Sequence, residues 1–480
     1  MSRQTLPAEA RAAAGAAVGG SAPAGEAAAP PTPAAVPGER APALAGWAEL
    51  FAARAAARAG ESAALGRKRE DAFAAFARLG FPTTRQEEWR FTNVGPIART
   101  RFVAAPARRV DRAALGPWLF EGAPYLVVVD GVAAPELSDL AGLPDGVRFG
   151  GLAAALAAGD EAAAWLGEHA GFAEHPFVAL NTALFADGAL LAVPDRVTVE
   201  QPLQVLFVST GAAGDEAPAA SFPRLLVRAG ERSVFTLVER YVTLGEGEAL
   251  TCPVTEVLAG ASSVVDHYRL AQESATTWHV GLQQLWCDRA AALTSYSIVT
   301  GGGLVRQDVR AVLDGEGVNA VLNGLYLTRG RQHVDHHMYV EHRKPHCDSH
   351  ELYKGILEGR SRAVFNGLIH VWPGAQKTDA KQTNRNLLLS SEALVNTNPQ
   401  LRIFADDVKC THGSTVGQLD EEAVFYLRSR CIGEEAAKSL LTYAFARDVV
   451  DRIKAAPVRH ELEELLLARL PKGDVVRQAL

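Results

Sequence analysis

Ala320-Val321-Leu322-Asn323-Gly324-Leu325 returns 43 residues later as Ala363-Val364-Phe365-Asn366-Gly367-Leu368. Each copy is a short apolar run followed by Asn-Gly, and these two residues tolerate a tight bend. A unit that recurs in this way suits successive coils of a solenoid. The flanking sequence has the same texture. Leu190–Val193, Leu203–Val208, Arg224–Val227, Ser233–Val238, Ser262–Tyr268 and Leu293–Val299 are short β-prone runs, separated by turns rich in Gly, Asp, Asn and Pro. In the last run Thr294, Tyr296 and Ile298 share one face, because strand side chains alternate. Helical periodicity is nearly absent from Leu190 to Val416. Many short strands with little between them describe a sandwich, a barrel or a solenoid, and the echo favours the solenoid. The chain is therefore expected to be mainly β, with its core over residues 190–419.

Other segments flank this core. Residues 1–44 are rich in Ala, Pro and Gly, and Pro30-Pro31 and Pro33 break any helix; this reads as a disordered tail. A secretory signal would need a basic start and a compact apolar stretch. Glu9, Glu26 and Glu39 are out of place in a transit peptide. Residues 45–189 read as a helical and α/β N-terminal domain. Its helical pattern runs from Trp47 to Leu79, is divided by Gly60 and Gly66, and ends at Gly80 and Pro82. Trp89 and Phe91 read as packing anchors. Residues 420–480 form a C-terminal helical domain. Asp420 is a good N-cap, with Glu421 and Glu422 in the first turn. Leu440, Leu441, Ala444, Phe445, Val449 and Ile453 line one face of the next helix, either as internal core or as a docking surface.

Composition removes several classes. A formal net charge of −7 gives no basic face, so nucleic acid is not an expected partner. Cys252, Cys287, Cys347, Cys410 and Cys431 are scattered and lack a CxxC pair, which points to a reducing cytoplasm rather than a disulfide framework. No uncharged apolar run reaches the ~18 residues of a membrane span, so no membrane insertion is expected. There is no phosphate-binding GxxxxGK[ST] loop, no GxGxxG turn, no nucleophile motif, and no cysteine spacing that holds an iron–sulfur cluster within one chain.

Two constellations could carry chemistry. In Val408-Lys409-Cys410-Thr411-His412-Gly413, a strand would point Cys410 and His412 to the same side. A soft sulfur and a borderline nitrogen on one face suit zinc or iron. Two donors are too few for a closed site, so further ligands must come from elsewhere in the chain, from a partner or from the bound species. The alternative is a half-buried thiol beside a hydrogen-bonded imidazole. The second constellation is histidine density. His333, His336, His337, His342, His346 and His350 fall within 18 residues, interleaved with Asp335, Glu341, Cys347, Asp348 and Glu351. His336 with His342, or His346 with His350, could share a face in a metal site. Alternatively the run is a polar ladder on the outside of a solenoid. Lys377, Asp379, Lys381 and Arg385 read as a solvated strand edge.

The run Phe365-Asn366-Gly367, Ala375-Gln376-Lys377-Thr378-Asp379-Ala380, Asn386-Leu387-Leu388-Leu389-Ser390, the Cys410–His412 segment and Phe425-Tyr426-Leu427-Arg428-Ser429-Arg430 closely resembles the SufB/SufD family of iron–sulfur cluster assembly proteins. The resemblance is dense from His333 to Asp451 and looser in Glu87–Asn93 and Leu180–Gly188. It implies a right-handed parallel β-helix over about 190–416. It implies a non-catalytic scaffold that pairs with a SufB-like paralogue and docks a SufC-like ABC ATPase, the partner that hydrolyses ATP. His412, with Cys410 beside it, is then the ligand candidate for a transient iron–sulfur cluster or iron at the subunit interface, with nothing tightly bound to the isolated chain. Arg428 and Arg430 would face the partner subunit, or else pair with surface carboxylates. Leu427 stands where some SufB proteins have cysteine, which, the resemblance implies, sets the chain apart from those members of the family. Cys431 stands where the family usually has Gly, a residue suited to φ > 0 at a helix end. Two other readings stay open: a stand-alone His-rich metalloenzyme on a β-solenoid, and a purely structural β-solenoid subunit.

Overall fold

The computed structural model describes residues 40–54, 61–105, 108–159, 161–212 and 216–479. The expected tail lies outside them as far as residue 39; its last residues open a helix, Arg40–Ala53.

From Gly188 onward the chain winds between two facing sheets. One wall carries Gly188–Val193, Arg224–Ala229, Val254–Ala259, Thr277–Cys287, Leu304–Leu313, His333–His342, Arg362–Val371 and Leu394–Ile403. The other carries Leu203–Ser209, Val234–Thr243, Val264–Gln272, Ala292–Val299, Asn319–Thr328, Asp348–Leu357, Asp379–Leu388 and Lys409–Gly417. Neighbours within each wall are parallel. The core is thus a parallel β-solenoid of about 7 turns. Alternate side chains point into its lumen, where Val309, Leu322, Met338, Phe365 and Ile369 make one continuous apolar core.

The Asn-Gly echo belongs to this architecture for a different reason than a bend. Asn319 pairs with Asp348, Asp348 with Asp379, and Asp379 with Lys409, so one coil takes 29, 31 and 30 residues in turn. A spacing of 43 is about one and a half coils, and the copies lie mid-strand on opposite walls. Both glycines face the lumen and make room for a larger neighbour. A Cβ on Gly324 would collide with the Tyr353 ring, and one on Gly367 with the Gln382 amide.

The bends are made elsewhere. At one corner Arg232, Ser262, Ala290, Gly317, His346 and Lys377, one per coil, adopt φ between +55° and +74°. Each donates its N–H to a carbonyl of the next coil, as His346 does to Gln376 (2.9 Å) and Lys377 to Asp407 (2.6 Å).

The flanking segments cover the outer faces. Tyr125–Val129 joins one sheet beside Leu203–Ser209, and Arg148–Gly151 joins the other beside Gly188–Val193. Helices Ala63–Leu79 and Pro176–Leu184 bring Phe76, Phe177 and Leu180 into one cluster with Trp89, Leu190 and Val280 of the first wall. Gly66 lies inside the first of these helices rather than dividing two. Trp89 is buried under the Arg306 guanidinium, 3.7 Å from its ring centre, whereas Phe91 is exposed and anchors nothing.

At the other end, helices Glu421–Ser429, Glu434–Val450 and Ala456–Arg469 follow Asp420, whose carboxylate caps the first by accepting from Glu422 N–H at 2.9 Å. Tyr443, Val449, Ile453, Leu462 and Leu466 pack on Tyr268, Tyr296, Leu325 and Ile356 of the second wall. Lys354 pairs with Asp448 (2.8 Å), Lys454 with Asp266 (2.9 Å), and Arg240 with Glu461. Val449 and Ile453 of the apolar face expected at Leu440–Ile453 are therefore internal core; Ala444 of that set is exposed. Among the described residues no helix is long and apolar enough to cross a membrane.

Candidate functional site at the open end of the solenoid

Every coil but the last is covered by the next. Among the described residues Leu394–Ile403 pairs only with Arg362–Val371, and Lys409–Gly417 only with Asp379–Leu388. Each terminal strand therefore presents an unpaired backbone edge, a template for another strand. Exposed large apolar side chains gather here: Leu389, Leu394, Ile403, Phe404 and Val416, with Phe425 and Tyr426 on the helix that follows. Concentrations of this kind are a general feature of association surfaces.

Cys410 and His412 sit on this last strand, in register with Ala380 and Gln382. Both partners face the lumen, so the thiol and the imidazole share the inward side, as their spacing predicts. The two differ in burial. Cys410 packs half-buried against the end of the lumen core, and burial raises its thiol above the ordinary value. His412 is exposed. Among the described residues no three of His, Cys, Asp and Glu are grouped so as to hold a metal. The pair alone is thus an open donor set, two ligands short of a tetrahedral site.

Among the described residues the histidine-rich run forms no group that could hold a metal, and it is not simply an outer ladder either. His336 and His342 do share a face, the inner one, but six residues of strand put them about 20 Å apart. His336 Nε2 meets Ser297 Oγ at 3.0 Å and His342 Nε2 meets Ser349 Oγ at 2.9 Å. Burial lowers both rings to about 4. His333 faces out and meets Thr92 Oγ1 at 2.9 Å, under the N-terminal segment. His346 holds a corner position with φ +59°.

Arg428 and Arg430 lie at the end of helix Glu421–Ser429, both exposed. Arg428 is 3.6 Å from Glu434; Arg430 donates to the Tyr426 hydroxyl at 2.8 Å and lies over its ring. Cys431 follows with φ +64°, the conformation its position was expected to require.

Sequence reading missed a lumenal polar pair. Glu351 is fully buried, and burial pushes its carboxyl up to about 8. Gln382 Nε2 donates to its two oxygens at 3.2 and 3.1 Å. The signal was present in the alternation of the charged run: Lys381 and Arg385 are exposed, whereas Ala380, Gln382, Asn384 and Asn386 face the lumen.

The last coil of the solenoid thus carries a thiol and an imidazole on an unpaired edge strand. Residues 208–445 match the family described as SUF system FeS cluster assembly, SufBD core domain. Residues 45–110 and 120–205 match the SufBD protein N-terminal region. The chain is 31% identical to the iron–sulfur cluster assembly protein SufD of Escherichia coli over 412 residues, 82% of this chain and 91% of the relative. It is also 31% identical to an iron–sulfur cluster assembly SufBD family protein of Synechocystis over 422 residues, 85% of this chain and 92% of the relative. A SufD of Bacillus subtilis is 28% identical over 296 residues, 61% and 66% of the two chains. The chain belongs to the SufBD family of iron–sulfur cluster assembly proteins.

Proposed function

We propose that this chain is the SufD-type scaffold subunit of a SufB–SufC–SufD assembly. The carrying observation is the open terminal coil, where Cys410 and His412 stand on the inward side of an unpaired edge strand. A SufB-like paralogue, itself a solenoid, would meet this edge and bring the missing ligands. Iron or a nascent cluster is then cargo held between two chains. Separating the chains removes ligands and releases it, which a closed four-ligand site in one chain would resist. His412 supplies a nitrogen from this side, with Cys410 beside it, half-buried and its thiol raised above the ordinary value by burial.

The chain acts without catalysing a reaction of its own. A SufC-like ABC ATPase supplies the energy and docks on the C-terminal helical domain. Since much of the expected docking helix is core, the exposed Phe425 and Tyr426 are the apolar contacts offered there, with Arg428 and Arg430 following them at the end of the same helix. Five free thiols, three of them buried, suit a cytoplasmic setting.

The test uses charges on the rim. Phe404→Asp with Val416→Asp should abolish co-purification of the SufB-like partner while leaving the melting temperature unchanged. Phe425→Ser with Tyr426→Ser should weaken retention of the ATPase and spare the SufB-like partner. Normal recovery of both partners from both double variants would place the docking surfaces elsewhere.

A further inference from the structure

We infer that Gln382 is a positioning residue for His412: its side-chain oxygen accepts one imidazole N–H of His412 and leaves the other ring nitrogen free to ligate. This inference rests on the reading of His412 given above.

Four observations converge on it. Gln382 is buried, yet among the described residues its Oε1 has no hydrogen-bond partner. An amide oxygen left unpaired in a buried site is destabilising, so an acceptor in this state is open to a donor. The other half of the amide is engaged, since Nε2 donates to both carboxyl oxygens of Glu351. That contact orients the group. Across the lumen the amide lies against Gly367, where even a Cβ would collide with it, so it cannot swing toward the opposite wall. On the side away from Glu351 and Gly367, the terminal strand can supply a donor. His412 is the residue in register there, on the same face, at a strand spacing of about 4.8 Å.

The chemistry suits a ligand. Imidazole coordinates through an unprotonated nitrogen, and the hydrogen bond made by its other nitrogen decides which one that is. Removing such a partner commonly lowers metal affinity about 10- to 100-fold. Glu351 acts through Gln382, by holding the amide in one orientation. The order along the wall is therefore Glu351, Gln382, His412, each in register with the next.

The experiment reads the ring directly. In the full chain labelled with ¹⁵N-histidine, the His412 signals are assigned by their loss in His412→Ala. Their nitrogen shifts should report one dominant tautomer with its N–H hydrogen-bonded. A tautomer mixture like that of free imidazole, or a ring nitrogen that accepts rather than donates, would overturn the inference without any variant. In Gln382→Met, similar in size but lacking the amide, the shifts should move to the free mixture. Cluster yield in the reconstituted complex should fall about 10-fold, with partner binding retained. Unchanged His412 shifts or an unchanged cluster yield in Gln382→Met would overturn the role of Gln382. Normal assembly by His412→Ala would instead remove the reading of the site on which the inference depends.

Discussion

The covered coils and the terminal coil are built from the same strand pair, the same inward alternation and similar residue types, yet they treat a histidine in opposite ways. His267 in a covered coil is fully buried, with Nε2 at 2.9 Å from Glu239 Oε2. His336 and His342 are likewise enclosed with hydroxyl partners. His412 occupies an inward position too, but no further coil lies over it. What separates a core histidine from a ligand candidate in this fold is whether another coil follows.

Several substitutions should sharpen or break that contrast. The largest stability effect should come from the covered region. Arg224 and Glu256 are both fully buried and paired, and Arg224 also donates to Asn181 at 3.0 Å and Thr182 at 3.2 Å. Arg224→Met leaves the Glu256 carboxylate without its partner and should cost about 3–5 kcal/mol in chemical denaturation. Thr411→Ala, on the exposed last strand, should stay within about 0.5 kcal/mol. Equal losses in the two variants would mean that the terminal coil is as integral to the core as the rest.

Next in size are two pH effects of the lumen. His336 and His342 are lowered from 6.5 to about 4 by burial. Their contribution is complete above pH 6.5 and is lost as pH falls toward 4, because the unfolded chain then binds protons that the folded chain refuses. Glu351 works in the other direction. Its carboxyl, raised from 4.5 to about 8, keeps a proton that the unfolded chain releases, so stability declines as pH rises from 4.5 to 8. Each histidine is worth on the order of 3 kcal/mol and Glu351 on the order of 5 kcal/mol. His336→Gln should flatten the acid limb of a stability–pH curve, and Glu351→Gln the alkaline limb. Limbs unchanged by these variants would show that water reaches the lumen.

The smallest effect concerns the end of the helix that follows the terminal coil. Cys431 holds φ +64° and is exposed. Cys431→Gly should stabilise by about 0.5–1 kcal/mol, since Gly adopts this conformation without the steric penalty. A loss of stability would show that the thiol makes a contact worth more than the strain.

Much of this was legible in the chain. Short apolar runs and turn residues indicate a solenoid because a strand must alternate and a coil must bend. Cys410 and His412 share a face because i and i+2 always do in a strand. The Asn-Gly echo led to the solenoid by a bend it does not make: mid-strand glycines under Tyr353 and Gln382 leave the same letters as a turn. The true corners carry Arg232, Ser262, Ala290, His346 and Lys377 at φ > 0, residues with no turn signature, held there by hydrogen bonds between coils. The histidine run misled because density in sequence is not proximity in a strand, where two rings six residues apart lie about 20 Å from each other. The Glu351–Gln382 contact was hidden because it joins neighbouring coils 31 residues apart.

The most direct test compares His412→Ala with His342→Ala in a cell that depends on this assembly pathway. The account predicts that His412→Ala folds with an unchanged melting temperature, retains its partners and fails to support cluster assembly. It predicts that His342→Ala loses stability but supports assembly in proportion to the folded protein that remains. Normal assembly by His412→Ala, together with failure of folded His342→Ala, would contradict it and move the site into the covered coils.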